Sequence, residues 1–178
     1  MRLFTAVDID DDVRKRLADL LARLRPLAKL NWTTPDRMHI TAKFIGEWPE
    51  DRLEEMKRTL ASVGSPGAFE IEIRDLGWFP NSRHPRVFWA GVHGGSALEV
   101  LAHATEDAVF ELGVGREDRA YSPHLTLARI REAVPLEALR RELDSIGDIE
   151  FGIVRPSAFY LYLSRAGRYT KLAEFPLT

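Results

Sequence analysis

Two short stretches carry the residues best suited to chemistry. His39-Ile40-Thr41 and His124-Leu125-Thr126 share one form: a histidine, an apolar residue, a threonine. Side chains alternate across an extended strand, so the histidine and threonine share a face while Ile40 or Leu125 points the other way. Each stretch therefore offers an imidazole and a hydroxyl on one side and anchors itself in a core through the other. Two such strands brought together present two imidazoles and two hydroxyls around one small space. A neutral imidazole can take a proton near neutral pH, an imidazolium can give one, and hydroxyls can hold phosphoryl oxygens. That is the equipment for handling a phosphodiester.

Nearby residues extend the set. Lys43 has the strand parity of His39 and is expected to face the same space. Arg129 has the opposite parity to His124, so a regular strand turns it away; a bulge or strand end after Leu127 is needed to bring it round. Tyr121 and the turn-rich, mildly basic run from Phe79 to Arg86 are candidates for touching a nucleotide, because stacking needs an exposed ring near cations. His84, His93 and His103 carry no motif and read as structural or surface residues. Trp32, Trp48, Trp78 and Trp89 read as core or cleft wall. The spacing of Gly91, Gly94 and Gly95 fits neither a dinucleotide fingerprint nor a phosphate loop. No His/Cys/Asp/Glu cluster with ligand spacing flanks either motif, so neither a metal nor a cofactor is expected.

The elements that must position these residues follow from periodicity. Leu3 to Ile9 reads as a strand closed by Asp8, Asp10, Asp11 and Asp12 with helix-capping chemistry. Val13, Leu17, Leu20, Leu21 and Leu24 mark an amphipathic helix, and Leu53, Met56, Leu60 and Val63 mark a second. Phe69, Ile71 and Ile73 alternate with charged residues in a strand expected to end near Leu76. After Val87 to Val92 come a helix from Ser96 to Leu112, the second histidine strand, a helix carrying Leu136, Leu139 and Leu143, and three closing strands. The order strand, helix, histidine strand, helix, strand runs from Leu3 to Leu76 and again from Val87 to Val154. Two pseudo-equivalent lobes are expected, with their central strands side by side and His39 opposite His124 across a cleft.

Bulk properties set limits. With 178 residues, 45% hydrophobic and 29% charged, the chain has the size and make-up of one domain, residues 1–178, with a real core. Lys+Arg 25 against Asp+Glu 27 gives a net charge of -2, so any contact with nucleic acid must rely on a local basic patch. The absence of cysteine excludes a thiol nucleophile and a disulfide framework. The opening apolar run is too short for a signal peptide, and a cytoplasmic location is the default expectation.

The paired motifs and their flanks resemble the two-histidine phosphoesterase superfamily. The flanks are Arg2-Leu3-Phe4-Thr5-Ala6-Val7, Trp32-Thr33-Thr34-Pro35, Phe44-Ile45-Gly46, Pro85-Arg86-Val87-Phe88-Trp89, Tyr121-Ser122-Pro123 and Leu172-Ala173-Glu174-Phe175-Pro176-Leu177. Within the superfamily they are most similar to the RNA 2′,3′-cyclic phosphodiesterases, also called 2′-5′ RNA ligases. The resemblance implies an α+β, bilobal fold: two pseudo-symmetric lobes of antiparallel sheet, helices on the outer faces, and a central cleft. It implies metal-independent opening of a terminal 2′,3′-cyclic phosphate on RNA or an oligonucleotide to a 2′-phosphomonoester; a monomer with no membrane partner is the accompanying expectation. His39 and His124 match the catalytic positions, with family precedent leaning to His39 as acid and His124 as base. Thr41, Thr126, Arg129 and Lys43 are then the phosphate-binding candidates, and Tyr121 the base or ribose contact. Joining of RNA ends to a 2′-5′ linkage, hydrolysis of a small cyclic nucleotide, and RNA-end binding without catalysis are the alternatives.

Overall fold

The computed structural model describes residues 1–178. In chain order the elements are β1 (Arg2–Asp8), α1 (Asp11–Leu24), β2 (Asn31–Trp32), β3 (His39–Glu47), α2 (Leu53–Ala61), β4 (Ile71–Phe79) and β5 (Val87–His93). There follow α3 (Gly95–Phe110), β6 (His124–Arg129), α4 (Glu137–Ile146), β7 (Glu150–Val154), β8 (Ala158–Arg165) and β9 (Arg168–Pro176). Apolar spacing builds the helices: α1 buries Val13, Leu17, Leu20, Leu21 and Leu24, with Asp11 and Asp12 in its first turn complementing the helix dipole. Pro26 ends the α-helix because it has no N–H to donate to the Ala22 carbonyl, and the chain tightens into one 3-10 turn over Arg25–Leu27.

The strands form two antiparallel sheets, ordered β3-β1-β8-β9 and β2-β6-β5-β4-β7. This refines the expected lobes, because the two halves exchange strands. β4, from the first half of the sequence, joins β5 and β6; β8 and β9, from the end of the chain, join β1 and β3. One continuous apolar core links both sheets, running through Leu3, Leu17, Phe88, Leu101, Leu125 and Phe159. Phe88 is fully buried, and its truncation to alanine is expected to cost about 3–5 kcal/mol. Neither histidine strand is central as expected: β3 is the edge strand of its sheet and β6 lies second in its own, because β8 and β4 take the inner places, yet β3 and β6 approach each other to within 8 Å between Cα atoms.

Both histidine strands carry a bulge at the same place. β1 pairs Asp8 with His39 and Ala6 with Thr41, then Thr5 with Lys43, so Ala42 is the extra residue. β5 pairs Gly91 with His124 and Trp89 with Thr126, then Phe88 with Ala128, so Leu127 is the extra residue. An extra residue reverses which way the following side chains point. Beyond the bulges, therefore, Lys43 and Ala128 turn inward, while Phe44 and Arg129 share the histidine face.

Candidate active site

On the first sheet, His39 and Thr41 lie on the same face as Phe4, Ala6 and Asp8, their neighbours on β1, and as Tyr160 and Tyr162 on β8. The His39 ring stands 4.6 Å from that of Tyr162, 5.7 Å from Tyr169 and 6.4 Å from Phe4. On the second sheet, His124 and Thr126 share a face with Gly91 and Trp89 of β5. Phe79 meets the His124 ring edge to face at 5.0 Å. Gly77 lets the Trp89 indole lie close over β4, since a Cβ there would fall 2.2 Å from the ring.

The two imidazoles are held alike. His39 Nδ1 lies 3.1 Å from the Arg37 carbonyl and His124 Nδ1 lies 2.8 Å from the Ser122 carbonyl. A carbonyl only accepts, so each Nδ1 carries the hydrogen and each Nε2 is left for proton transfer. In both, burial is the main influence and pushes the imidazole below its ordinary value, and the bond to the carbonyl opposes that. The neighbouring charges differ. The Asp8 carboxylate raises His39 while Arg14 and Lys171 lower it; Arg129 lowers His124.

The other predicted residues divide. Thr41 is exposed and Thr126 half-buried, each beside its histidine. Arg129 is exposed on the His124 face, carried there by the bulge at Leu127. Lys43 does not face the cleft as parity predicted. Only 3% of it is exposed, and Nζ donates to Glu106 Oε1 and the Gly115 carbonyl, both at 3.0 Å, on the opposite side of β3. Tyr121 is no exposed stacking platform either: its ring packs against the core and its hydroxyl donates to the Thr41 carbonyl at 2.8 Å, tying the entry of β6 to β3.

Other residues of the site escaped the sequence reading. Asp8 caps no helix; it accepts from Tyr162 Oη at 2.5 Å and from Lys171 Nζ at 2.8 Å. Burial by itself would raise its carboxyl, but the bonds from Lys171 and Tyr162 hold it below the ordinary carboxylate value. Phe44 is 43% exposed, with the Arg2 guanidinium 5.0 Å from its ring centroid. Lys171 also sits 3.6 Å from the Tyr160 ring centroid, and Arg37 5.0 Å from that of Tyr169, so rings and cations alternate beside His39. A cavity of about 370 Å³, between α2 and the β8–β9 edge, is lined by Lys57, Arg58, Phe159 and Phe175 and by neither histidine. No group of three or more His, Cys, Asp or Glu side chains is arranged to hold a metal ion, and no helix is long and apolar enough to cross a membrane.

Known proteins share this architecture. The model of the LigT-like phosphoesterases matches residues 7–89. A relative from Archaeoglobus fulgidus, named RNA 2′,3′-cyclic phosphodiesterase, is 33% identical over 153 residues, covering 84% of this chain and 86% of the relative. A protein of the same name from Methanothermobacter thermautotrophicus is 30% identical over 183 residues, 99% of each chain. A crystal structure from Thermus thermophilus superposes with a TM-score of 0.78 at 30% identity, covering 99% of this chain and 98% of that one. Two antiparallel sheets, each bearing a His-x-Thr strand with a bulge after the threonine, define a phosphoesterase of the two-histidine class. Within that class the chain belongs to the LigT-like phosphoesterase family.

Proposed function

We propose that this chain opens the 2′,3′-cyclic phosphate at an RNA or oligonucleotide end by adding water, leaving a 2′-phosphomonoester. His39 and His124 act as the acid–base pair, and the reaction calls on no metal, cofactor or second copy of the chain. One observation carries this: two imidazoles on strands of the two sheets that approach to within 8 Å between Cα atoms, each with Nδ1 committed to a backbone carbonyl and Nε2 left for proton transfer. The name borne by relatives spanning most of the chain supports the same reaction.

In the step itself one Nε2 takes a proton from water as its oxygen bonds to phosphorus. The bond from phosphorus to the 3′ oxygen breaks, and that oxygen receives the proton from the other Nε2. Charge on the non-bridging oxygens is met by the Thr41 and Thr126 hydroxyls and by Arg129. With a net charge of -2 and cations confined to patches, recognition centres on the terminal nucleotides and weakens with salt.

The test is to incubate the protein with a 2′,3′-cyclic-phosphate oligonucleotide in EDTA and follow phosphorus NMR. A 2′-phosphate is expected. A longer oligonucleotide would replace hydrolysis by end joining, and an unchanged substrate would refute the assignment. Alanine at His39 or His124 is expected to lower turnover by about 10²–10⁴-fold each.

A further inference from the structure

The two histidine strands are matched in backbone but not in surroundings. Asp8 stands opposite His39 across the β1–β3 pair, and the corresponding place opposite His124 across β5–β6 is Gly91. Asp8 Oδ1 is 3.6 Å from His39 Nε2, the nitrogen left for proton transfer. No carboxylate can occupy the Gly91 position without rebuilding the sheet, because a Cβ there would fall 2.3 Å from the Arg74 carbonyl oxygen. The charge that acts on His124 is Arg129, of the opposite sign.

Asp8 is also built to keep its own charge and place. Tyr162 donates to one of its oxygens and Lys171 to the other. The groups around His39 are Phe4 and Asp8 from β1, Tyr162 from β8, Tyr169 and Lys171 from β9, and Arg14 from α1; the Arg37 carbonyl holds Nδ1. Asp8 is the one anion among them.

We propose that Asp8, clamped by Tyr162 and Lys171, is a positioning residue that sets a carboxylate beside His39 Nε2 and so favours the imidazolium there over His124, so that His39 protonates the departing 3′ oxygen and His124 is left to deprotonate water. This rests on the hydrolytic reaction proposed above. Burial of His39 works against its proton, and the Arg37 carbonyl and then the adjacent carboxylate recover part of that loss. One turnover moves the extra proton from His39 to His124, and exchange with solvent restores both. A backbone with pseudo-two-fold symmetry thereby acquires distinct acid and base positions.

Two measurements on Asp8→Asn test this, since asparagine keeps the shape and an acceptor for Tyr162 but removes the charge. In the full chain without substrate, an NMR titration of the histidine rings should show His39 releasing its proton at lower pH than in the wild type, with His124 unmoved. With the cyclic-phosphate oligonucleotide, the alkaline limb of kcat/KM should move to lower pH, and the rate on the wild-type limb should fall by about tenfold. An unmoved His39 titration in Asp8→Asn overturns the proposal whatever happens to activity; should Asp8→Asn fail to fold, Asp8→Ala is titrated in its place, and an unmoved His39 there overturns it equally. Absence of turnover by the wild type sinks the hydrolytic assignment instead, while the ring titrations still judge Asp8.

Discussion

Replacing Lys43 by methionine tests the bulge at Ala42. Methionine keeps most of the stem and removes the ammonium, which now meets Glu106 Oε1 and the Gly115 carbonyl at 3.0 Å and lies 3.5 Å from Glu117 Oε1. Breaking a fully buried ion pair costs about 3–5 kcal/mol. Here water softens the loss, because the Glu106 side chain is 16% exposed and that of Glu117 59%. A loss of about 2–3 kcal/mol is expected, which in a chain of this size lowers Tm by roughly 4–10 °C. Turnover at 25 °C, measured well below the melting range, should stay within about threefold of the wild type. Arg129→Ala is the counterpart at the strand that turns its cation outward. It should lose about 10²-fold in kcat/KM with Tm almost unchanged. Calorimetry and steady-state rates on both variants decide the matter. A Lys43→Met protein that melts like the wild type but has lost 10²-fold in rate would place the ammonium on the substrate and refute the register reasoning.

Further outcomes can be checked alongside. On the acid side kcat/KM should fall as His124 gains a proton, at a pH below the ordinary histidine value near 6.5, because burial and then Arg129 lower it; Arg129→Ala should move that limb to higher pH. Both histidines hold protons less readily in the folded state than in the unfolded one. Their contribution to stability is complete above about 6.5 and is lost as pH falls through the depressed folded values, which a series of denaturant melts would read. Gly77→Ala puts a methyl into the Trp89 ring and should cost about 1–3 kcal/mol while raising KM, through displacement of the indole opposite Thr126. Tyr121→Phe removes the bond to the Thr41 carbonyl and should cost about 1 kcal/mol, seen as a Tm lower by about 2–4 °C.

Periodicity made most of the elements legible, because a buried stripe such as Val13, Leu17, Leu21 and Leu24 has no other use. It could not reveal the exchange of β4 and β8 between lobes, since element order does not state which strands pair. β4 runs on to Phe79 rather than ending near Leu76, because Gly77 is a close-approach residue under Trp89 and not a turn. The histidine–threonine pairs were readable because two residues fix the face of any strand. Parity fails for Lys43 because Ala42, like Leu127, has no feature that marks a bulge; Arg129 is readable only as a choice between a regular and an irregular strand. Asp8 stands close to Asp10, Asp11 and Asp12, an acidic run whose simplest use is helix capping. Its parity with Phe4 and Ala6 was the available signal, but its clamps, Tyr162 and Lys171, lie at the far end of the chain and meet it only after folding.

The paired kinks also give the site a direction. A ligand entering between two copies of one backbone plan could lie either way round if the copies ended alike. They do not: past the kink one edge ends in the benzyl ring of Phe44, and the other in the guanidinium of Arg129. A molecule with a flat aromatic base at one end and an anionic group at the other finds unlike walls, and head and tail are no longer interchangeable.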